Sequence, residues 1–251
     1  MIKKIIRNFL SKYLGIFYYG KLAYSQEGED LVIDRLLKGK RNGFYVEVGC
    51  HHPHRFSNTF FFYKRGWRGV CIDPLPGTKD LFGRERPRDL CIEKGVDEKE
   101  GELTYFMFNE PALNTFDEKL AKERSAIVGY HILEKDKIKV QSLASILDDL
   151  TEIPSIDILS VDVEGFDLQV LRSNDWNKYK PNIIIAECLN ARFLDINSDP
   201  VTQYLLGLNY SIYAKTGYSL IFQKLEDASV SVVELNLAIA TLTTADVPDP
   251  Y

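Results

Sequence analysis

The sequence predicts an α/β fold, a mostly parallel sheet covered by helices on both faces. Three observations predict it. From Phe44 onward, short β-branched or aromatic runs alternate with amphipathic segments, the pattern of strands joined by crossover helices. These apolar runs stop at acids and glycines, residue types that suit the ligand crevice at the carboxyl ends of strands in an open α/β sheet. With 251 residues and 45% hydrophobic content, the chain can bury one full core, so one catalytic-sized domain with short additions accounts for it.

Strands are expected at 44–48, 69–72, 90–94, 157–161 and 182–187, where β-branched and aromatic residues cluster. Helices are expected at 29–37, 57–65, 77–84, 117–123, 142–148 and 166–171, with Asp117 and Ser142 as N-caps that take up free amide donors. Two further runs, 210–214 and 220–223, flank "KTGYS" and read as a closing hairpin. The tail after Asp227 is rich in Thr, Ala and Val without a clear period, and no structure is assigned to it. The domain plan is an N-terminal basic amphipathic helix over 1–23, a main domain over 24–223 and a tail over 224–251.

The N-terminal stretch carries Lys3, Lys4, Arg7, Lys12 and Lys21 and no acid, leaving 26 basic against 36 acidic residues in the rest of the chain. Ile2, Ile5, Ile6, Phe9, Leu10, Tyr13 and Leu14 recur at helical spacing, which sets an apolar stripe opposite a basic one. Charge interrupts the stretch too often for it to span a bilayer, and no small-residue cleavage site follows an apolar core. It is expected to pack on its own domain or on a dimer mate, with a weak membrane-surface contact as the alternative. The whole chain has a formal charge of -5 and so offers no basic field for nucleic acid. Cys50, Cys71, Cys91 and Cys188 are widely spaced with no C-x-x-C pair. That usage points to a reducing cytoplasm, with the inner face of the membrane as the variant the N-terminal stretch would allow, and it excludes a disulfide framework or a zinc-ligand spacing.

Five predicted strand ends are chemically loaded: Glu47 to Gly49, Asp73 with Pro74, Gly95 to Asp97, Asp162 to Gly165, and Glu187. Any one of them alone is an ordinary cap or turn; the series carries the signal. Gly49 and Asp73 are 24 residues apart, near the spacing at which one carboxylate takes two ribose hydroxyls beyond a Gly-bearing first turn. Yet "EVGCHHP" is not G-x-G-x-x-G, and without the later glycines the tight pyrophosphate cradle is missing. A nucleoside without a diphosphate fits better than a dinucleotide. S-adenosylmethionine is such a nucleoside, and its sulfonium and amino groups suit the nearby Glu47 carboxylate.

"YSQEGEDLVIDRLL" (24–37), "YVEVGCHHPHRFSNTFFFYKRGWRGVCIDPLP" (45–76), "RPRD" (86–89), "NTFDE" (114–118), "LSVDVEGFDLQVL" (159–171) and "PNIIIAE" (181–187) follow one another in the order of a known family. Over roughly 24–213 the chain resembles the FkbM family of S-adenosylmethionine-dependent methyltransferases, and six ordered blocks are more specific than one Gly loop. The resemblance implies a Rossmann-like class I methyltransferase fold with seven strands and an antiparallel last pair. It also implies methyl transfer, usually to a hydroxyl, and bacterial members with the "SQ-x-GED" block often serve capsule, O-antigen or other surface polysaccharide biosynthesis. The implied acceptor is therefore a carbohydrate, whether free or carried on a nucleotide, a lipid or a polymer. Glu47 and Cys50 stand where relatives commonly carry Asp or Ala, changes that roughly preserve size or charge. Asn114 stands where they carry Ser, a change that bears on the substrate pocket. Carried over residue by residue, Glu47, Gly49 and the Cys50–His51 backbone hold the methionine part, Asp73 the ribose, and Val96 with Asp97 the adenine edge. Ser25 and Gln26 cover the methionine carboxylate, unless Ser25 only caps the helix that follows.

Methyl transfer is an in-line displacement with a neutral thioether leaving, so positioning supplies much of the catalysis, up to about 7–11 kcal/mol in the best oriented systems. A hydroxyl acceptor must also lose its proton. The candidates are a histidine of the loop at 51–54, with His52 the chosen one, or Asp162 and Glu164 after the fourth predicted strand. Two readings of Asp162 remain: oxygen ligands from Asp162, Glu187 and Asn190 around Mg²⁺, or acids that cap a helix and line the pocket without metal. Two other functions share Gly49 and Asp73, a nicotinamide-dependent oxidoreductase and a non-catalytic nucleoside-binding protein. The first wants the Gly-rich turn that this chain lacks, and the second has no use for the later acids.

Overall fold

The computed structural model describes residues 5, 9, 10, 21–188 and 195–225. The expectations for most of the N-terminal helix, for Asn190 and for the tail beyond 225 lie outside the described residues. The elements run α1 (Glu29–Leu36), β1 (Phe44–Val48), α2 (Phe60–Tyr63), β2 (Arg68–Ile72), α3 (Thr78–Glu85), β3 (Leu90–Ile92), β4 (Gly95–Val96), β5 (Gly101–Phe108), α4 (Glu118–Ser125), β6 (Ile132–Gln141), α5 (Leu143–Asp148), β7 (Ile158–Val161), α6 (Asp167–Arg172), β8 (Ile183–Glu187), α7 (Pro200–Gly207), β9 (Tyr210–Lys215) and β10 (Ser219–Lys224). Short 3₁₀ turns lie at Pro111–Leu113 and Ile196–Ser198.

Seven strands form the main sheet in the order β3-β2-β1-β7-β8-β10-β9. All pairs through β8 are parallel, and β10 runs antiparallel to both β8 and β9. This is the mostly parallel, seven-stranded Rossmann-like sheet with an antiparallel last pair. Its central strands are buried on both faces, which is why β8 reads as the unbroken run Ile183, Ile184, Ile185, Ala186. Alternate residues of β1 serve different layers: Phe44, Val46 and Val48 pack toward α5, α6 and α7, while Tyr45 joins the layer of Ile33, Phe62 and Trp67. Glu47 follows the Tyr45 parity, so a carboxylate enters that apolar layer. Among the described residues no helix is long and apolar enough to cross a membrane.

Four expectations change. The single strand at 90–94 is two strands in two sheets, because the chain leaves β2 after the Asp73 N–H reaches the Ile92 carbonyl and Gly95 pairs with Val140 instead. The helix at 57–65 starts only at Phe60, since the three preceding side chains are committed elsewhere: Ser57 Oγ accepts from Thr59 and Phe60 N–H, Asn58 donates to Ser160, and Thr59 donates to Glu47. A second sheet, β4-β6-β5, was not expected. Its long strand β6 is exposed along most of its length, so Glu134, Lys135, Asp136, Lys137 and Lys139 give it no apolar alternation to read. Helix α7 was also missed; Asp199 caps it and Pro200 occupies its first position.

Candidate active site

The carboxyl ends of β1, β2 and β7, the second sheet and the loop after β5 line a cavity that is partly open to solvent. Gly49 fixes its floor. It has φ +79°, and a Cβ there would lie 1.7 Å from the Asp162 carbonyl oxygen, so only glycine lets the loops after β1 and β7 touch. Backbone bonds tie the same point: Gly49 N–H donates to Ile72 and Asp162 N–H to Val48.

Asp73 closes the end of β2, almost fully buried. Its Oδ2 accepts from His51 N–H at 2.8 Å and its Oδ1 from Leu75 N–H at 2.9 Å. Each oxygen keeps a second lone pair for a ligand. Burial pushes its carboxyl up to about 6, against the two amides that favour the anion. Lys94, Val96, Pro74 and Leu75 also line the cavity. Asp97 does not; its N–H donates to the Gln141 carbonyl.

Glu47 lines the wall with a carboxylate that takes the Thr59 hydroxyl at 2.5 Å and lies 3.7 Å from the Arg86 guanidinium. Burial raises its carboxyl despite Arg86. Gln26 and Cys50 also line the cavity. Ser25 does not, because its hydroxyl exchanges hydrogen bonds with Asp30 at the start of α1. His51 lines the cavity, whereas His52 lies outside its wall: His52 Nδ1 accepts from the N–H groups of His54 and Arg55 and so shapes the turn.

Beyond β7 and β8, oxygens of Asp162, Glu164 and Glu187 lie within 4.8 Å of one another. Asp162 and Glu164 line the cavity. Burial, then the charges of Glu164, Asp167 and Glu47, raise the Asp162 carboxyl well above the usual range. The Glu187 carboxyl is pushed up to about 11 by burial and the charges of Asp162, Glu164 and Asp167. Arg124 on α4 pairs with Glu164, and the Thr115 hydroxyl donates to the Glu164 carbonyl at 2.7 Å. Of the three expected metal ligands, Asp162 and Glu187 are brought together, with Glu164 beside them. Such an acid cluster suits either a hard divalent cation or the positive groups of an organic ligand.

Sequence reasoning missed Arg86 and Arg124, which hold acids in place, and the aromatic wall of Phe56, Tyr105, Phe116 and Phe166. Arg86 stood within the quoted "RPRD" block, and Phe116 within "NTFDE".

Residues 47–212 match the family model described as the methyltransferase FkbM domain. No curated protein matches the sequence. Among similar solved structures is the O-methyltransferase from Bacillus cereus in complex with SAH, 11% identical over 90% of this chain and 100% of that one, at a TM-score of 0.44. Precorrin-6y C5,15-methyltransferase from Geobacter metallireducens is 12% identical over 85% of this chain and 96% of its own, at 0.43. The Burkholderia thailandensis 1,6-didemethyltoxoflavin-N1-methyltransferase with bound 1,6-didemethyltoxoflavin and S-adenosylhomocysteine is 9% identical, covers 90% and 89% of the two chains and scores 0.42.

Proposed function

We propose, on the premise that this chain belongs to the FkbM family of S-adenosylmethionine-dependent methyltransferases, that it methylates a sugar hydroxyl in the biosynthesis of a surface polysaccharide. The observation that carries this reading is the composition of the one large wall: a floor of carboxylates and amides with an aromatic rim of Phe56, Phe116 and Phe166.

Asp73 takes the ribose diol, and Val96 and Leu75 flank the adenine. Strand neighbours lie about 4.8 Å apart, so the ends of β2 and β8, three places apart in the sheet, are separated by roughly 14 Å. A nucleoside anchored at Asp73 therefore extends toward the acids after β7, which offset its sulfonium and ammonium charges. Asp162 and Glu164 sit where the acceptor hydroxyl arrives and orient it. The sugar is carried on a nucleotide, a lipid or a growing polymer, and the reaction runs in the cytoplasm. The N-terminal stretch joins two copies or rests on the membrane surface; removing residues 1–20 should change one of these associations while cofactor binding persists.

A second reading is favoured by the convergence of Asp162, Glu164 and Glu187. These acids would hold Mg²⁺, which supplies Lewis-acid activation of the acceptor oxygen. Loss of turnover in EDTA with rescue by Mg²⁺ supports it, and turnover that survives chelation excludes it.

The main test follows label from methyl-labelled S-adenosylmethionine into an extract containing nucleotide sugars and glycolipids. Label held in an alkali-stable sugar ether is the expected result. Label released by mild alkali, or found in protein or nucleic acid, overturns the sugar-hydroxyl assignment.

A further inference from the structure

Two buried polar atoms in the cavity wall have no hydrogen-bond partner among the described residues, His51 Nε2 and Asn114 Nδ2. An unpaired buried polar group costs about 1–3 kcal/mol, so two in one wall call for a ligand.

The orientation of both side chains is fixed. Asn114 Oδ1 accepts from Phe108 N–H at 2.7 Å, so turning the amide end for end would break that bond. Asn114 is 7% exposed and lies beside the Tyr105 hydroxyl, but Nδ2 reaches no partner in bonding geometry. His51 sits at φ 46°, a left-handed conformation uncommon outside glycine, and its N–H is spent on Asp73. The charged and titratable groups facing its ring are Arg55 and His52 from its own loop and Glu110 from the loop after β5. Burial first, then Arg55 and His52, lower the imidazole to about 4, so it is neutral at physiological pH.

Resting on the methyltransferase reading above, we propose that His51 and Asn114 form the acceptor subsite: Asn114 Nδ2 donates to an oxygen of the acceptor sugar, and His51 Nε2 takes the proton of the hydroxyl being methylated. The oxygen forms its bond to the methyl carbon as the carbon–sulfur bond breaks. Sulfur keeps the electron pair as a neutral thioether, and the hydroxyl proton passes to the imidazole, which later yields it to water. The imidazole must start as the tautomer protonated on Nδ1. His51 is then the base of the histidine loop, and His52 builds the turn that presents it.

The test uses His51→Gly, which suits a positive φ, and Asn114→Asp, which replaces a donor by an acceptor; Asn114→Ser stands in should Asn114→Asp unfold. Both should bind S-adenosylhomocysteine in a calorimeter within about threefold of the unaltered chain, since Asp73 is untouched. Methyl transfer into the nucleotide-sugar and glycolipid extract should fall about a hundredfold or more in His51→Gly and recover severalfold with added imidazole. It should fall about tenfold in Asn114→Asp, with no rescue. Loss of more than about tenfold in S-adenosylhomocysteine affinity would assign the two atoms to the cofactor and overturn the proposal. Transfer at the unaltered rate, or a loss in His51→Gly that imidazole does not restore, overturns it too. If the unaltered chain neither binds S-adenosylhomocysteine nor transfers label, the methyltransferase reading itself fails and this assignment falls with it.

Discussion

Around Arg86, every donor has found an acceptor. Its Nε reaches Asp89 at 2.6 Å, and its two terminal nitrogens reach the Pro53 carbonyl, Ser57, Tyr45 and Thr59. Glu47 and Asp89 supply opposite charge, and the guanidinium is wholly buried. Around Asp162 the balance differs, since Asp162, Glu164, Asp167 and Glu187 gather with Arg124 as their cationic neighbour. Both clusters border the same cavity through Glu47 and Asp162. The first cluster is saturated, with each charge matched by partners, whereas the second gathers four acids around one arginine and so holds its carboxyls above their usual range.

Arg86→Met should have the greatest effect on stability. It strips Glu47 and Asp89 of their partner and should destabilise the chain by about 3–5 kcal/mol in urea unfolding. A loss below about 1 kcal/mol would mean the network is not a structural fixture. Next, Asp73→Ala removes a charged acceptor for the ribose and should weaken S-adenosylhomocysteine binding by about 1.5–3 kcal/mol, tenfold or more by calorimetry. An unchanged dissociation constant would sink the ribose assignment.

Asp162→Asn removes one carboxylate from the acid cluster. S-adenosylmethionine carries a sulfonium that S-adenosylhomocysteine lacks, so the substitution should lower the preference for the former by about tenfold, some 1.4 kcal/mol. Equal losses for both ligands would show that the acids do not face the sulfonium. The last effect concerns pH. Asp73 and Asp167 have folded-state values raised to about 6 and about 7, mainly by burial, above their unfolded value near 4. The folded chain keeps protons that the unfolded chain has released, so these groups stabilise most at low pH, and that contribution is lost as pH rises through about 6 and 7. The melting temperature of the ligand-free protein should fall by about 6 °C between pH 5.5 and 8. Saturating S-adenosylmethionine should flatten the slope, and a melting temperature that rises over this window counts against the burial of these acids.

The main sheet was legible because its strands obey simple rules: β1 and β8 lie within a residue of the expected runs, since unbroken Val and Ile runs have few alternatives to a doubly buried strand. Strand β6 was illegible for the opposite reason: with both faces largely in water, it is held by pairing to β5, and pairing leaves no mark in a single strand's composition. In the site, the acids at strand ends could be read because topology alone puts those ends at one crevice. What could not be read was which member of the histidine loop turns inward, because that follows from backbone angles at His51 and from Nδ1 bonds at His52. Arg86 was hidden because its neighbours Thr59, Tyr45 and Ser57 come from distant parts of the chain.

The three-stranded sheet enters the chain between β3 and β7, yet together with the loop after β5 it delivers Tyr105, Pro111, Ala112, Asn114 and Phe116 to the wall. Glu47, Gly49, Asp73 and Asp162 come instead from the ends of the main sheet. The pocket is thus bounded by two sheets, each supplying one part of its wall. The two parts are fastened together, since the Thr115 hydroxyl donates to the Glu164 carbonyl and Arg124 pairs with the Glu164 carboxylate. A shift of β5 against β6 would therefore be felt at the loop after β7 as well as at the wall the second sheet itself supplies.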